Sequence, residues 1–183
     1  MNLKLSGWYF LHDRRKFYSD LLKRLHLLTL KSSEYYPECE KFYSILDVKD
    51  KIVYDVGCDF GTTPMYFLRK GAFAVFGFSK EKQYFHAFHY IHYKVDEDPL
   101  LITLPPIMQS INPRHLVLKS DCEGCEWNFT QEMIEKFGDW IIAVHSPILN
   151  HDLFEYILKH GELIGSQPGS EFGIFHKIKE VTQ

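Results

Sequence analysis

The stretch Lys51–Gly61, KIVYDVGCDFG, decides how this chain is read. Ile52, Val53 and Tyr54 form a short apolar run with β-branched residues, the pattern of a strand covered on both faces. Asp55 follows where such a strand ends. Gly57 and Gly61 permit a tight turn and a close backbone approach. Thr62-Thr63-Pro64 reads as a helix start, with a threonine at the N-cap and proline in the first turn. A strand, a glycine-bearing turn and a helix N-terminus in succession point to a nucleotide or nucleoside site at the carboxyl edge of a parallel sheet.

The spacing refines this. A dinucleotide fingerprint runs G-x-G-x-x-G, whereas this stretch reads D-x-G-x-x-x-G. A carboxylate ahead of the first glycine suits a cationic ligand better than a pyrophosphate. S-adenosylmethionine carries an ammonium and a sulfonium and no phosphate, so it is the ligand expected here. Taken alone, the motif also fits an ordinary strand-to-helix turn that needs two glycines.

Composition sets the frame. The chain has 183 residues, 45% of them hydrophobic, and a formal net charge of −3. That is enough for one domain with a substantial core. No apolar run approaches the length of a membrane span, and no signal-peptide pattern opens the chain. The four cysteines, Cys39, Cys58, Cys122 and Cys125, are sparse, which fits a reducing, cytoplasmic setting. Charge is uneven. Up to Lys31 there are seven basic residues against Asp13 and Asp20, a net of about +5, leaving about −8 for the rest. Such an arm suits nucleic acid, anionic lipid or an acidic partner, or is simply a solvated helix face.

Residues 1–46 read as an N-terminal helical extension that packs on, or lids, the domain at 47–183. Phe17, Leu21, Leu25 and Leu28 recur at helical spacing, and a short helix over Glu38–Leu46 turns Phe42 and Ile45 inward. Behind this, strands alternate with helices. After the first strand and a helix from Pro64 to Lys70, Gly71 supplies a left-handed stop. Phe73–Phe78 is the second strand, with Ser79, Lys80 and Glu81 just past it and a helix to Val95. Leu100–Leu104 is a candidate third strand. Leu116–Leu118 is a buried strand, Trp127–Phe137 a helix, and Trp140–Val144 a strand ending at His145. Asn150 caps a helix that stops at Gly161, and Glu162–Gly165 and Phe172–Ile178 close the sheet as a pair. The predicted fold class is α/β: a doubly wound, mostly parallel, Rossmann-like sheet with one antiparallel edge strand. Asp55, Ser79, Asp121 and His145 all fall at carboxyl ends of parallel strands, along the ligand edge of this architecture.

The second informative stretch is Leu116–Trp127, LVLKSDCEGCEW. It resembles the K-I-D-x-E-G-x-E signature of the FkbM-type methyltransferases, a family of S-adenosylmethionine-dependent O-methyltransferases. Lys119, Asp121, Glu123, Gly124 and Glu126 match, and Ser120 replaces the usual aliphatic residue. DVGCDFG resembles that family's D-V-G-A-N-x-G loop, with Asp59 in place of asparagine. WIIAVHSP resembles its strand ending in histidine before the last helix. The similarity runs from about Tyr43 to Lys177.

The resemblance implies the class I methyltransferase fold, a seven-stranded sheet with one reversed strand. It assigns Asp55, Gly57, Asp59 and Gly61 to the S-adenosylmethionine site, with Asp55 facing the amino-acid end of the ligand. Asp121 would lie beside the methionine moiety and the substrate, and Glu123 and Glu126 would shape the site. The second strand of this fold usually ends in an acid that bonds both ribose hydroxyls. Here Ser79 stands in that place and makes fewer, weaker bonds, with Glu81 as the substitute two residues on.

Methyl transfer to oxygen requires removal of a hydroxyl proton. His145 is the candidate base, because an unperturbed imidazole titrates near neutrality, and Asp121 orients it or the substrate. The bland alternatives are a histidine bonded to backbone and helix-N-terminus acids that favour the dipole. Cys122-x-x-Cys125 reads as packing, since zinc would need two more ligands. His86, His89 and His92 read as the edge of an aromatic core on a helix, so no metal is expected. The expected acceptor is a hydroxyl of a small molecule or sugar. The competing readings are a non-catalytic domain of the same fold serving as an interaction module, and a nucleic-acid methyltransferase using the basic N-terminal helix.

Overall fold

In a computed structural model of the chain, Ile52–Val56 forms β1 at the middle of a seven-stranded sheet. The structure describes residues 36–58, 61–79, 89–92, 111–145, 150–166 and 173–178, with backbone alone for 89–92. All belong to one unit, Glu34–Gln183. The remaining strands are β2 (Ala74–Ser79), β3 (His89–His92), β4 (Leu116–Ser120), β5 (Asp139–Val144), β6 (Gly161–Gly165) and β7 (Gly173–Lys177). The helices are α1 (Tyr36–Tyr43), α2 (Thr62–Arg69), α3 (Gln131–Glu135) and α4 (His151–His160).

The sheet order is β3-β2-β1-β4-β5-β7-β6. β3, β2, β1, β4 and β5 pair in parallel, and β7 pairs antiparallel with both β5 and β6. The expected α/β architecture is therefore present, with the reversed strand β7 one place in from the edge and β6 outside it. The order turns back on itself between β1 and β4, which makes the carboxyl ends of those two strands the switch point where such sheets bind ligands.

Burial follows strand position. All residues of β4 and β5 are buried, as are Val53–Val56 of β1, whereas Glu162 and Leu163 on the outer strand β6 are exposed. Tyr54 stacks on Phe76 and Phe78 at 5.3 and 5.7 Å and meets the edge of Phe137 at 5.3 Å, so aromatic pairs knit β1, β2 and the segment before β5. His176 on β7 is buried and pairs through Nε2 with Asp139 on β5 at 2.9 Å.

Several local expectations change. The N-cap of α2 is Gly61, at φ 91°, and not a threonine. Thr62 already lies in the helix, and Thr63 turns its hydroxyl back to Asp55. Trp127–Phe137 is not one helix. A 3-10 turn over Cys125–Asn128 ends at Phe129, and α3 starts afresh because the Thr130 side chain accepts the Met133 N–H. His89–His92, expected on a helix, forms β3 against β2, with Phe76 opposite His89 and Ser79 opposite His92. Tyr90 and Ile91 are strand formers, and this overrides the three-residue histidine repeat. In α1 and the turn after it, Phe42, Tyr43 and Leu46 are buried while Ile45 is exposed. Gly71 at φ 94° and the Asn150 cap, whose side chain accepts the Leu153 N–H, stand as expected. The candidate strand Leu100–Leu104 and the amphipathic segment around Phe17–Leu28 lie outside the described residues.

Candidate functional site

A buried ion pair links β1 and β4 at the switch point. Because β1 continues to Val56, Asp55 sits inside the strand rather than beyond it, and in the parallel register it lies opposite Lys119 of β4. Lys119 Nζ is 2.9 Å from Asp55 Oδ1 and donates to the Gly57 carbonyl at 2.8 Å. Thr63 Oγ1 donates to the other Asp55 oxygen. The same ammonium lies over the Tyr43 ring, 5.5 Å from its centroid. Burial works against the charge on Lys119, but Asp55, Tyr43 and Asp121 outweigh it and hold the amine well above its ordinary range. Asp55 is fully buried and engaged by its own chain. Its two oxygens face Lys119 and Thr63.

The turn after β1 is pressed onto the turn after β4. Gly57, at φ 79°, would place a Cβ 1.8 Å from the Asp121 carbonyl oxygen. The Asp121 N–H donates to the Val56 carbonyl at 2.9 Å, and the Gly57 and Cys58 N–H groups donate to the Phe78 carbonyl at 2.9 and 3.0 Å. Gly57 thus lets the two turns touch each other. Gly61 is buried at the start of α2. Ser79 is buried at the last position of β2. Asp59 and Glu81 lie outside the described residues.

Above the ion pair, the loop after β4 brings Asp121, Glu123 and Glu126 around His145 at the end of β5. Tyr43 donates its hydroxyl to Asp121 Oδ2 at 3.0 Å. Burial, against the pull of nearby Lys119, keeps that phenol well above its usual range. His145 Nε2 faces Asp121 Oδ1 at 3.4 Å and Glu123 Oε2 at 3.6 Å. Its Nδ1 meets Glu126 Oε1 at 2.8 Å, and its backbone N–H donates to the same oxygen at 3.0 Å. The other Glu126 oxygen accepts the Gly124 N–H at 2.9 Å. Glu126 is fully buried, so it orients the imidazole from behind. Glu123 adopts φ 56° and is 63% exposed.

Burial alone would depress the His145 imidazole, but the carboxylates of Asp121 and Glu126 outweigh it and raise the pKa to about 10. Those carboxylates favour the protonated ring over the neutral one. His145, expected as the general base, stands beside Asp121, expected to orient it or the substrate.

Cys122 and Cys125 form a disulfide across Glu123-Gly124, which corrects the expectation of simple packing. Sulfurs bonded to each other are not zinc ligands, and with one pair bonded the cysteine usage no longer speaks for a reducing compartment. Cys39 and Cys58 are free and buried. Among the described residues no helix is long and apolar enough to cross a membrane.

The structure adds Tyr43, Thr63 and the Lys119 ammonium to the site. One signal for Lys119 was legible. A lysine inside the apolar strand LVLKS has no water to solvate it, so it demands a carboxylate on a neighbouring strand.

No family model matches the chain. It is 34% identical over 114 residues to uncharacterized protein 158B of Sulfolobus islandicus rod-shaped virus 1, covering 61% of this chain and 71% of that protein. It is 29% identical over 119 residues to uncharacterized protein 65 of Sulfolobus islandicus filamentous virus (isolate Iceland/Hveragerdi), covering 63% and 72%. Among solved structures it resembles a Plasmodium falciparum protein described as a ribosomal RNA methyltransferase, with TM-score 0.52, 15% identity, 79% of this chain and 93% of that one. At that identity the likeness is one of fold, and the fold is that of the methyltransferases.

Proposed function

This chain belongs to the family of uncharacterized protein 158B of Sulfolobus islandicus rod-shaped virus 1, and from its own geometry we propose that it is an S-adenosylmethionine-dependent methyltransferase of the FkbM type that methylates a hydroxyl of a small molecule or sugar. One observation carries the reading. The tips of β1, β4 and β5 meet at the switch point of a methyltransferase-type sheet, and the groups gathered above them are Asp121, Glu123 and His145. Carboxylates there repel a pyrophosphate and favour an ammonium or sulfonium, so the donor set fits S-adenosylmethionine and disfavours a dinucleotide.

When bound, that cofactor supplies an electrophilic methyl group on a cationic sulfur. The chain's own residues do the rest. Asp121 and Glu123 provide negative charge facing the cation. Asp121 also accepts the acceptor hydroxyl's proton, while Tyr43 holds its second oxygen in place. His145, pinned by Glu126, positions Asp121. The buried Asp55–Lys119 pair and Gly57 fix how the β1 and β4 turns abut.

Calorimetry with S-adenosylmethionine tests the reading. Saturable binding that falls on Asp121→Asn supports it, and no heat at millimolar ligand with folded protein rejects it. A second reading, methylation of RNA, is favoured by the basic count before Lys31. RNA binding with a steep salt dependence, lost on neutralising Arg14, Arg15 and Lys16, would move the proposal to that substrate.

A further inference from the structure

We propose that Asp121, Glu123 and His145 form a binding site for a divalent metal ion, open on the Glu123 side. One ligand atom from each residue lies within 4.8 Å of the other two. His145 Nε2 is 3.4 Å from Asp121 Oδ1 and 3.6 Å from Glu123 Oε2. These gaps exceed the roughly 2.7–2.9 Å of a charge-assisted hydrogen bond. They match the spacing of about 3.3–3.6 Å between ligand atoms set tetrahedrally about 2.0–2.2 Å from one ion.

The histidine is prepared for that role by a group outside the triad. His145 is nine-tenths buried, and its Nδ1 is engaged by Glu126 Oε1 at 2.8 Å. Glu126 is itself anchored by the Gly124 and His145 backbone N–H groups. A buried carboxylate behind one ring nitrogen, aiming the other at two carboxylate oxygens, is the support that metal-ligating histidines use to fix tautomer and direction. Lys119, the buried cation beneath, is already paired with Asp55 at 2.9 Å. Three carboxylates therefore surround a single imidazole.

Two carboxylates and one imidazole suit manganese or zinc better than the all-oxygen cage that magnesium prefers. The exposed Glu123 leaves the remaining positions of the ion open to water or to an oxygen-bearing ligand. The inference rests on this geometry and not on the methyl-transfer reading, with which it competes for Asp121 and Glu123.

The test uses full-length, chelator-stripped protein without reductant or S-adenosylmethionine, titrated with Mn2+ and followed by electron paramagnetic resonance and calorimetry. We expect one saturable site. Glu123→Gln and Asp121→Asn should each weaken it by about ten-fold or more, while Glu132→Gln, on the exposed face of α3, should leave it unchanged. Glu123 is exposed, so its variant tests the site without disturbing the fold. Absence of saturable Mn2+ binding, or equal binding by Glu123→Gln and wild type, overturns the proposal. Binding of S-adenosylmethionine to the metal-free protein is measured separately, so either reading can fail alone.

Discussion

Asp55 and Lys119 are opposite each other on adjacent parallel strands, and their side chains close a buried ion pair at 2.9 Å beneath the candidate site. Removing two charges from water is costly, and the pair offsets that cost only because Thr63 and the Gly57 carbonyl satisfy the remaining groups. Lys119→Met removes the ammonium that pairs with the buried Asp55 carboxylate and should cost about 3–5 kcal/mol of stability. Asp55→Asn combined with Lys119→Met should recover part of that loss. Chemical denaturation of the single and double variants measures both, and additive losses would contradict a coupled pair.

Gly57 and Gly124 separate steric from conformational demand. Both have positive φ, but a Cβ at Gly57 would lie 1.8 Å from the Asp121 carbonyl oxygen, whereas nothing lies within 4 Å of one at Gly124. Gly124→Ala should cost about 1–2 kcal/mol, the strain of a left-handed alanine. Gly57→Ala should cost well beyond that, because the β1 and β4 turns must move apart. Thermal melting of the two variants ranks them, and equal losses would show that the turns do not abut.

The His145 imidazole gives a pH dependence with a definite sign. Its pKa is raised from 6.5 to about 10 in the folded chain. The stability it contributes is therefore fully present below its unfolded value and is lost as pH rises through the folded one. In chelator-treated protein the stability difference between wild type and His145→Gln should shrink steadily from about pH 6 to 11. A difference independent of pH would mean that the ring is uncharged in the fold.

The Cys122–Cys125 bridge closes a very short loop. Its reduction should lower stability by about 2 kcal/mol on loop-closure grounds. Alkylation of the unfolded, unreduced chain followed by mass spectrometry should label Cys39 and Cys58 alone. Labelling of all four would remove the bridge.

Much of the fold is legible in the chain because its central strands are buried on both faces. WIIAV and LVLKS leave little room for another reading. Glycines and an asparagine mark where helices stop or start at Gly71, Asn150 and Gly161. What escaped was short or depended on distant partners. His89–His92 is only four residues, too few for a period to show. The break at Thr130 comes from a side-chain cap inside an otherwise helical pattern. Asp121, Glu123 and His145 were identified from motif and strand ends, and the structure brings them together. Asp55 was also singled out, and the strand register sets it opposite Lys119, a residue 64 positions later.

The insertion of β7 between β5 and β6 also orders events during synthesis. Ala143 on β5 pairs with Ile174 on β7. Until the ribosome has released the segment from Gly173 onward, β5 presents an unpaired rim rich in tryptophan, isoleucine and valine. Such a rim is a template for another strand. A nascent chain stalled before that segment should therefore be the form most prone to self-association and most in need of a chaperone.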